Sequence, residues 1–213
     1  MWETLAPPWQ AALEMAWEAY CANTVPIGAV VADKYGNVVS RGRNRIMDQS
    51  APAGQVCSNE LAHAEINALL SLKLSYEESR QAALYTTMEP CPLCMGAFFM
   101  SDVKTIHFAA RDPWAGSVNL LGTTPYLSRK PIKVFAPFNT LLEKAILVLH
   151  IEWNIFKHGE NILTSQFFNE FRAILPDTVD QGLSLYRSGE LRNKQKMGFS
   201  ADQVFNWLTN QVQ

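Results

Sequence analysis

What the chain lacks narrows its reading first. Its opening residues, Met1-Trp-Glu-Thr-Leu-Ala-Pro-Pro8, carry neither the positive segment nor the apolar stretch of a secretory leader, so a cytoplasmic protein is expected. The most apolar later run, residues 145–149, is far too short to cross a bilayer and leads into His150 and Glu152, so no membrane partner is expected. No charge of one sign prevails: 18 Lys and Arg against 20 Asp and Glu leave a formal charge of −2. That balance supplies no overall basic field for nucleic acid, although it is silent about local patches. Cysteine is scarce, with four in 213 residues. In a reducing compartment a close pair of them reads as metal-binding or redox-active rather than as a disulfide. Repeats and low-complexity tracts are missing too.

What is present is an ordinary globular composition, 48% hydrophobic over a length that suits one domain with an addition, or two small ones. Leu13, Trp17 and Tyr20 recur at helical spacing behind the prolines at 7 and 8, predicting a helix to about Cys21. The run 26–32 is strand-like, Asp33-Lys-Tyr-Gly-Asn37 has turn chemistry, and Val38-Val39 begins a return strand. Residues 48–59 read as a loop, 62–72 as a helix, 83–88 and 103–109 as strands, with a further helix from about Cys91. Strands alternating with helices favour an α/β layered architecture. Later, Thr140-Leu-Leu-Glu143 and Ser200-Ala-Asp-Gln203 both have capping-box spacing, with Phe199 placed to staple onto Val204, and Gly159 ends a helix after Lys157 and His158. From about 160 onward the chain reads as an ordered helical extension without chemistry of its own.

Chemistry concentrates in His63-Ala-Glu65 and Pro90-Cys-Pro-Leu-Cys94. Zinc takes imidazole nitrogen and thiolate sulfur, and three protein ligands leave a fourth tetrahedral position for water. Cys91 and Cys94 share one face of a helix start, where unpaired N–H groups and the dipole favour thiolate. His63 and Glu65 are less simple, since two residues on an ideal helix lie about 200° apart. They meet at one metal only if the end of their helix, rather than its side, faces the site.

The pattern H-x-E followed by P-C-x-x-C is the signature of zinc nucleobase deaminases, in which the glutamate is not a ligand. The chain resembles the cytidine deaminase-like superfamily, particularly its tRNA adenosine deaminase and guanine deaminase branch. The resemblance rests on Val25-Pro-Ile-Gly-Ala-Val30, Gly42-Arg-Asn44, Ala62-His-Ala-Glu-Ile-Asn-Ala68, Glu89-Pro-Cys-Pro-Leu-Cys-Met-Gly-Ala97, Ala110-Arg-Asp112 and Gly116-Ser117, in the family's order over roughly residues 10–120. It implies a three-layer α/β/α sandwich with a mixed sheet of about five strands. Residues 1–159 would form the zinc deaminase domain and 160–213 a helical extension packed on it. It also implies Zn2+ held by His63, Cys91 and Cys94, with the pKa of its water lowered to roughly 7. Glu65 would take the water proton, pass it to a ring nitrogen and later protonate departing ammonia. Asn44 matches a base-binding asparagine, and Ile27, Gly28, Ala29 and Ala64 match pocket positions, glycine at 28 letting a flat ring approach the backbone.

Other readings stand beside these. A closed structural zinc site would need Cys57 or another histidine as fourth ligand and leave Glu65 without a task. Glu65 alone would suit a helix first turn, Asn44 the end of a hairpin, and Gly28 a bulge. Asn67 reads as a support for the ligand helix, Cys21 as a small apolar residue, and His107, His150 and His158 as packed or solvated. Trp114 either caps the pocket or packs in the core.

For the substrate, a free nucleobase or nucleoside is favoured, guanine-type purines ahead of cytosine compounds. A tRNA-editing adenosine deaminase is the alternative, and a non-catalytic zinc protein on the same scaffold a further one. Binding tRNA would want clustered cations, and Arg41, Arg43 and Arg45 alternate as they would on one exposed strand face. No basic C-terminal cluster of the tRNA-editing kind is recognisable. The 48–60 loop is longer than in those relatives, as a lid over a small pocket would be. The family is commonly dimeric, which makes a homodimer the expectation.

Overall fold

In the computed structural model, which describes residues 1–137 and 139–212, the chain reverses direction at Asp33. Its Oδ1 accepts from the N–H groups of Tyr35 and Asn37 at 2.8 and 2.9 Å, and Gly36 takes φ 85°, a conformation open to glycine. This turn joins β1 (Gly28–Ala32) to β2 (Val38–Arg43) as the expected antiparallel hairpin. β3 (Ala83–Thr86) pairs antiparallel with the other edge of β1, and β4 (Thr105–Phe108) and β5 (Lys133–Phe135) follow in parallel. The result is a mixed five-stranded sheet in the order β2-β1-β3-β4-β5.

The helices are α1 (Pro7–Cys21), α2 (Ala64–Leu70), α3 (Tyr76–Ser79), α4 (Pro92–Met100), α5 (Thr140–His158), α6 (Gln166–Ile174), α7 (Pro176–Ser188), α8 (Glu190–Lys196) and α9 (Ala201–Gln211). Strand periodicity sends alternate side chains to opposite layers. Ala29, Val31, Leu84 and Ile106 pack with Ala64 and Ala68 of α2 and Met95 and Phe98 of α4. Val30 packs on Ala11 and Ala12 of α1 from the other side. Helices thus cover both faces, as a three-layer sandwich requires.

Two glycines set how closely the layers approach. A Cβ on Gly28 would lie 2.1 Å from the carbonyl oxygen of Ala12, so α1 rests directly on β1. A Cβ on Gly42 would lie 2.3 Å from the backbone nitrogen of Ala68 and 2.4 Å from the carbonyl oxygen of Ala64, so α2 rests directly on β2. Their contacts face opposite sides of the sheet, in keeping with the register that pairs Ala29, rather than Gly28, with Gly42.

Several local expectations are corrected. α2 starts after His63 rather than at Ala62, and it ends at Leu70. The cap of α5 is Asn139, whose Oδ1 accepts from Leu141 and Leu142, while Glu143 turns away from capping to pair with Arg111 at 2.7 Å. Cys21 is exposed, not packed. Gly159 does end α5 (φ 78°), and Gln203 does reach back to the N–H of Ser200. The last four helices share one apolar core with the first and fifth: Trp9, Leu13 and Trp17 join Ile146 and Leu149, then Phe168, Leu191 and Phe205. Among the described residues no helix is long and apolar enough to cross a membrane.

Candidate metal centre

Cys91 stands immediately before α4 with extended backbone (φ −70°, ψ 173°), Pro92 opens the helix, and Cys94 follows within its first turn. His63 precedes α2 in the same way (φ −73°, ψ 159°), and Glu65 is the second residue of that helix. The helical-wheel objection therefore does not apply: His63 is not helical, and both helices direct their N-terminal ends at one point. His63 Nδ1 lies 3.5 Å from Cys91 Sγ and 3.4 Å from Cys94 Sγ. Ligand atoms of these three residues all fall within 4.8 Å of one another, and among the described residues no fourth metal-binding side chain joins them. Cys57 is not part of the group.

Glu65 is buried beside this triad. Its Oε1 accepts from Thr86 Oγ1 at 2.9 Å, and its Oε2 lies 3.3 Å from Cys94 Sγ. Burial pushes its carboxyl above the ordinary range, against the opposing pull of His63. The Cys91 thiol is held down to about 4, first by its hydrogen bond with Cys94 and also by that with His63. Cys94 is pushed up, by the bond to Cys91 and then by burial. The hydrogen bond to Cys91 likewise raises His63. These are donor atoms crowded around a point that a cation suits better than shared protons do. One imidazole and two thiol sulfurs at this spacing fit Zn2+, with the fourth tetrahedral position left to solvent.

Ties from β2 hold the ligand helix in place. Besides the Gly42 contact, Ser40 Oγ donates to the carbonyl of Ala68, and Asn67 Nδ2 donates to the carbonyl of Arg43 at 3.1 Å. Asn67 Oδ1 accepts from the N–H of Val56 at 2.8 Å, which pins the 48–60 loop to the same helix. Asn67 is thus a support, one of the roles expected of it.

The expected pocket residues fare unevenly. Asn44 is buried, and its Oδ1 accepts from Thr24 Oγ1 at 2.7 Å and from the N–H of Ile46 at 3.2 Å. That second bond is the turn-closing role; among the described residues its NH2 has no partner. Glycine at 28 is required by the close approach of α1, on the layer away from α2, and the bulge falls between Val31 and Ala32 instead. Ala29 of β1 and Ala64, the first residue of the ligand helix, are fully buried in one cluster, and Ile27 bridges the two main apolar clusters. Trp114 is half exposed, with its ring edge-on to Phe167 of α6 at 6.0 Å.

Two supporting residues, Thr86 and Thr24, escape a reading by motif, and a third, Glu89, opens the cysteine motif without a role of its own being legible there. Thr86 orients Glu65, Thr24 orients Asn44, and Glu89 accepts from the N–H groups of Asp112 and Val118, both at 3.4 Å. Glu89 thereby seats the 112–118 loop against the start of α4, where Ser117 N also donates to the carbonyl of Pro90. Thr86 ends a strand that leads into the cysteine motif, and its inward parity was the only signal available.

The three arginines are not a free basic strip. Arg41 pairs with Glu14, and Arg43 and Arg45 share Asp48, each at 2.7 Å. The last two pairs are largely buried and close the base of the 48–60 loop.

Residues 7–110 match the family described as the cytidine and deoxycytidylate deaminase zinc-binding region. The chain is 36% identical over 109 residues to a tRNA-specific adenosine deaminase of Haemophilus influenzae, covering 50% of this chain and 58% of that protein. It is 32% identical over 109 residues to a tRNA-specific adenosine deaminase of Rickettsia bellii, covering 50% of this chain and 70% of that one. A guanine deaminase of Bacillus subtilis is 32% identical over 87 residues, 40% of this chain and 50% of that one. Among solved structures, one from work on A-to-I editing by tRNA:A34 deaminases superposes with TM-score 0.53 at 26% identity, over 65% of this chain and 97% of the other.

Proposed function

This chain belongs to the zinc-dependent deaminases of the cytidine deaminase-like superfamily, and from that premise we propose that it hydrolytically deaminates a free nucleobase or nucleoside, a guanine-type purine first and a cytosine compound next. The observation that carries the reading is the buried Glu65 carboxylate beside a three-donor His63, Cys91 and Cys94 group. A structural metal site has no use for such an acid, whereas a hydrolytic one requires it.

His63, Cys91 and Cys94 would hold the metal, the two cysteines as thiolates. When bound, zinc supplies the Lewis acidity that makes water a nucleophile near neutral pH. Glu65 would do the proton work at Oε2, because Oε1 is engaged by Thr86. It would take one proton from the attacking water and give it to a ring nitrogen, then take the second from the hydroxyl now on the ring carbon and pass it to the amine, so that the carbonyl forms as the C–N bond breaks and ammonia leaves. Asn44 would donate from its NH2 to a ring nitrogen or carbonyl, since Thr24 and Ile46 already occupy its oxygen.

A small substrate is favoured by the pairing of Arg41, Arg43 and Arg45 with carboxylates, which leaves them poorly placed to neutralise phosphates. The pinned 48–60 loop supports the same preference. A second reading, tRNA-editing adenosine deaminase, is favoured by the names of the Haemophilus and Rickettsia relatives. Under either reading we expect a cytoplasmic homodimer, with a dimer mass in light scattering. Ammonia release from a panel of purines, pyrimidines, nucleosides and a tRNA anticodon stem-loop separates the possibilities. Turnover of guanine ahead of the rest supports the first reading. Inosine formation in a tightly bound, salt-sensitive stem-loop replaces it with the second. No turnover by zinc-loaded protein would make this a non-catalytic zinc protein.

A further inference from the structure

The C-terminal helices lie outside the matched family region, yet one of them is tied to the pocket by hydrogen bonds to Asn23 and from its chain neighbour Thr24. We propose that Arg192, in α8, is a positioning residue for the substrate: it holds the end of α1 so that Asn44 presents its NH2 to the base. The inference rests on Asn44 being the base-binding residue.

The guanidinium of Arg192 is fixed on every side. Its Nε and Nη2 donate to the two carboxylate oxygens of fully buried Glu152 at 3.1 and 3.2 Å. Tyr20 Oη donates to the same carboxylate at 2.7 Å. The guanidinium carbon sits 4.2 Å from the ring centre of Tyr20 and 3.7 Å from that of Phe156. A planar fork held in this way is a rigid anchor, since its donors and both its faces are occupied.

What the anchor holds is the exit of α1. Arg192 Nη1 donates to Asn23 Oδ1 at 3.0 Å, and Gln195 Nε2 donates to the carbonyl of Cys21 at 3.0 Å. Asn23 is left-handed (φ 56°), a conformation that asparagine tolerates but does not enforce. The next residue, Thr24, is fully buried and donates to Asn44 Oδ1. An asparagine amide can point its oxygen or its NH2 either way at little steric cost, and the hydrogen-bonding neighbours decide. Here the Thr24 hydroxyl and the N–H of Ile46 select the oxygen, which leaves the NH2 for a ligand. Thr24 keeps its own N–H bond to the carbonyl of Ala19, but releasing Asn23 removes the side-chain tie beside it, and that selection weakens.

The test loosens the link without uncovering the buried Glu152. Asn23→Gly keeps the left-handed backbone and deletes the acceptor; Asn23→Asp keeps both. Steady-state kinetics with guanine should show KM raised about three- to tenfold in Asn23→Gly, the loss of one hydrogen bond's worth of positioning, with kcat and zinc content retained. Asn23→Asp should restore the wild-type KM. A readout that needs no turnover is the side-chain amide of Asn44 in 15N-edited NMR, identified by its loss in Asn44→Ala. Its resonances should move in Asn23→Gly and return in Asn23→Asp. If Asn44→Ala raises KM and Asn23→Gly does not, or if the amide resonances stay put, the positioning role is overturned while Asn44 keeps its own. An unchanged KM in Asn44→Ala overturns the pocket reading and this inference together.

Discussion

Thr86 donates its hydroxyl hydrogen to Glu65 Oε1 at 2.9 Å, joining the end of β3 to the first turn of α2 inside the core. One carboxylate oxygen is thereby fixed, and the other is left toward the metal group. Thr86→Val keeps the shape and deletes the donor. It should lower kcat about ten- to a hundredfold, the range for a hydrogen bond to a charged group, with zinc content unchanged by metal analysis. Full activity in that variant would mean that the carboxylate is held by other contacts.

Glu65 is not among the grouped metal donors, so removing its charge should separate chemistry from metal binding. Glu65→Gln should retain stoichiometric zinc and lose about 10²- to 10⁴-fold in turnover, the usual range for a positioned proton carrier. Cys91→Ala should lose both zinc and turnover. A Glu65→Gln variant that turned over normally would exclude the proton-carrying role.

Local chemistry was legible in the residues, and long-range partnerships were not. The Asp33–Asn37 reversal could be read because turn bonds close within four residues. His63, Cys91 and Cys94 were readable because their residue types and spacings are a chemical requirement. The packing demand for glycine at 28 and 42 was not legible, since it depends on which helix lies against which strand face. Thr86 was invisible because its partner lies in another element. The alternating arginines looked solvated because Glu14 and Asp48 sit off the strand that bears them.

Glycine at 42 and glycine at 96 make a matched pair for testing this point. A methyl at 42 meets the backbone of α2, which cannot yield as a flexible side chain would, whereas a methyl at 96 meets nothing within 4 Å. Gly42→Ala should cost about 2 kcal/mol or more, lower Tm by roughly 4–8 °C and weaken zinc retention by displacing His63. Gly96→Ala, inside α4, should raise Tm by a few degrees through helix propensity. Thermal melts with parallel metal analysis check both.

Buried His150 of α5 sets an acid limit on stability. Buried among Phe167 and Phe171, and with Nδ1 unpartnered among the described residues, it is pushed from 6.5 down to about 4 by desolvation. Between those values the unfolded chain binds the proton and the folded one does not, so stability falls as pH drops from 6.5 to 4 and no further below. The full loss amounts to about 3 kcal/mol on the scale of 1.36 kcal/mol per pKa unit. Denaturant unfolding at pH 7 and pH 4.5 should therefore show a smaller difference for His150→Leu than for the wild type. Equal differences would place the acid sensitivity elsewhere.

The extension beyond Gly159 should behave as an integral part of the core rather than as a removable domain. α5 is buried through most of its length: Ile146, Leu149, Ile151 and Trp153 are all covered, and the cluster they form includes Phe168, Phe171 and Phe205 of the later helices. Ending the chain at residue 159 would return that face to water and strip Arg192 from the buried Glu152, whose charge would then be desolvated without its cation. Exposed apolar surface on this scale leads to association, so the truncated chain should be recovered as aggregate or not at all. Adding Glu152→Gln to the truncation removes the charge problem but leaves the apolar one, and it should rescue little. A soluble, zinc-loaded 1–159 fragment with a cooperative thermal transition would show instead that the first 159 residues fold alone.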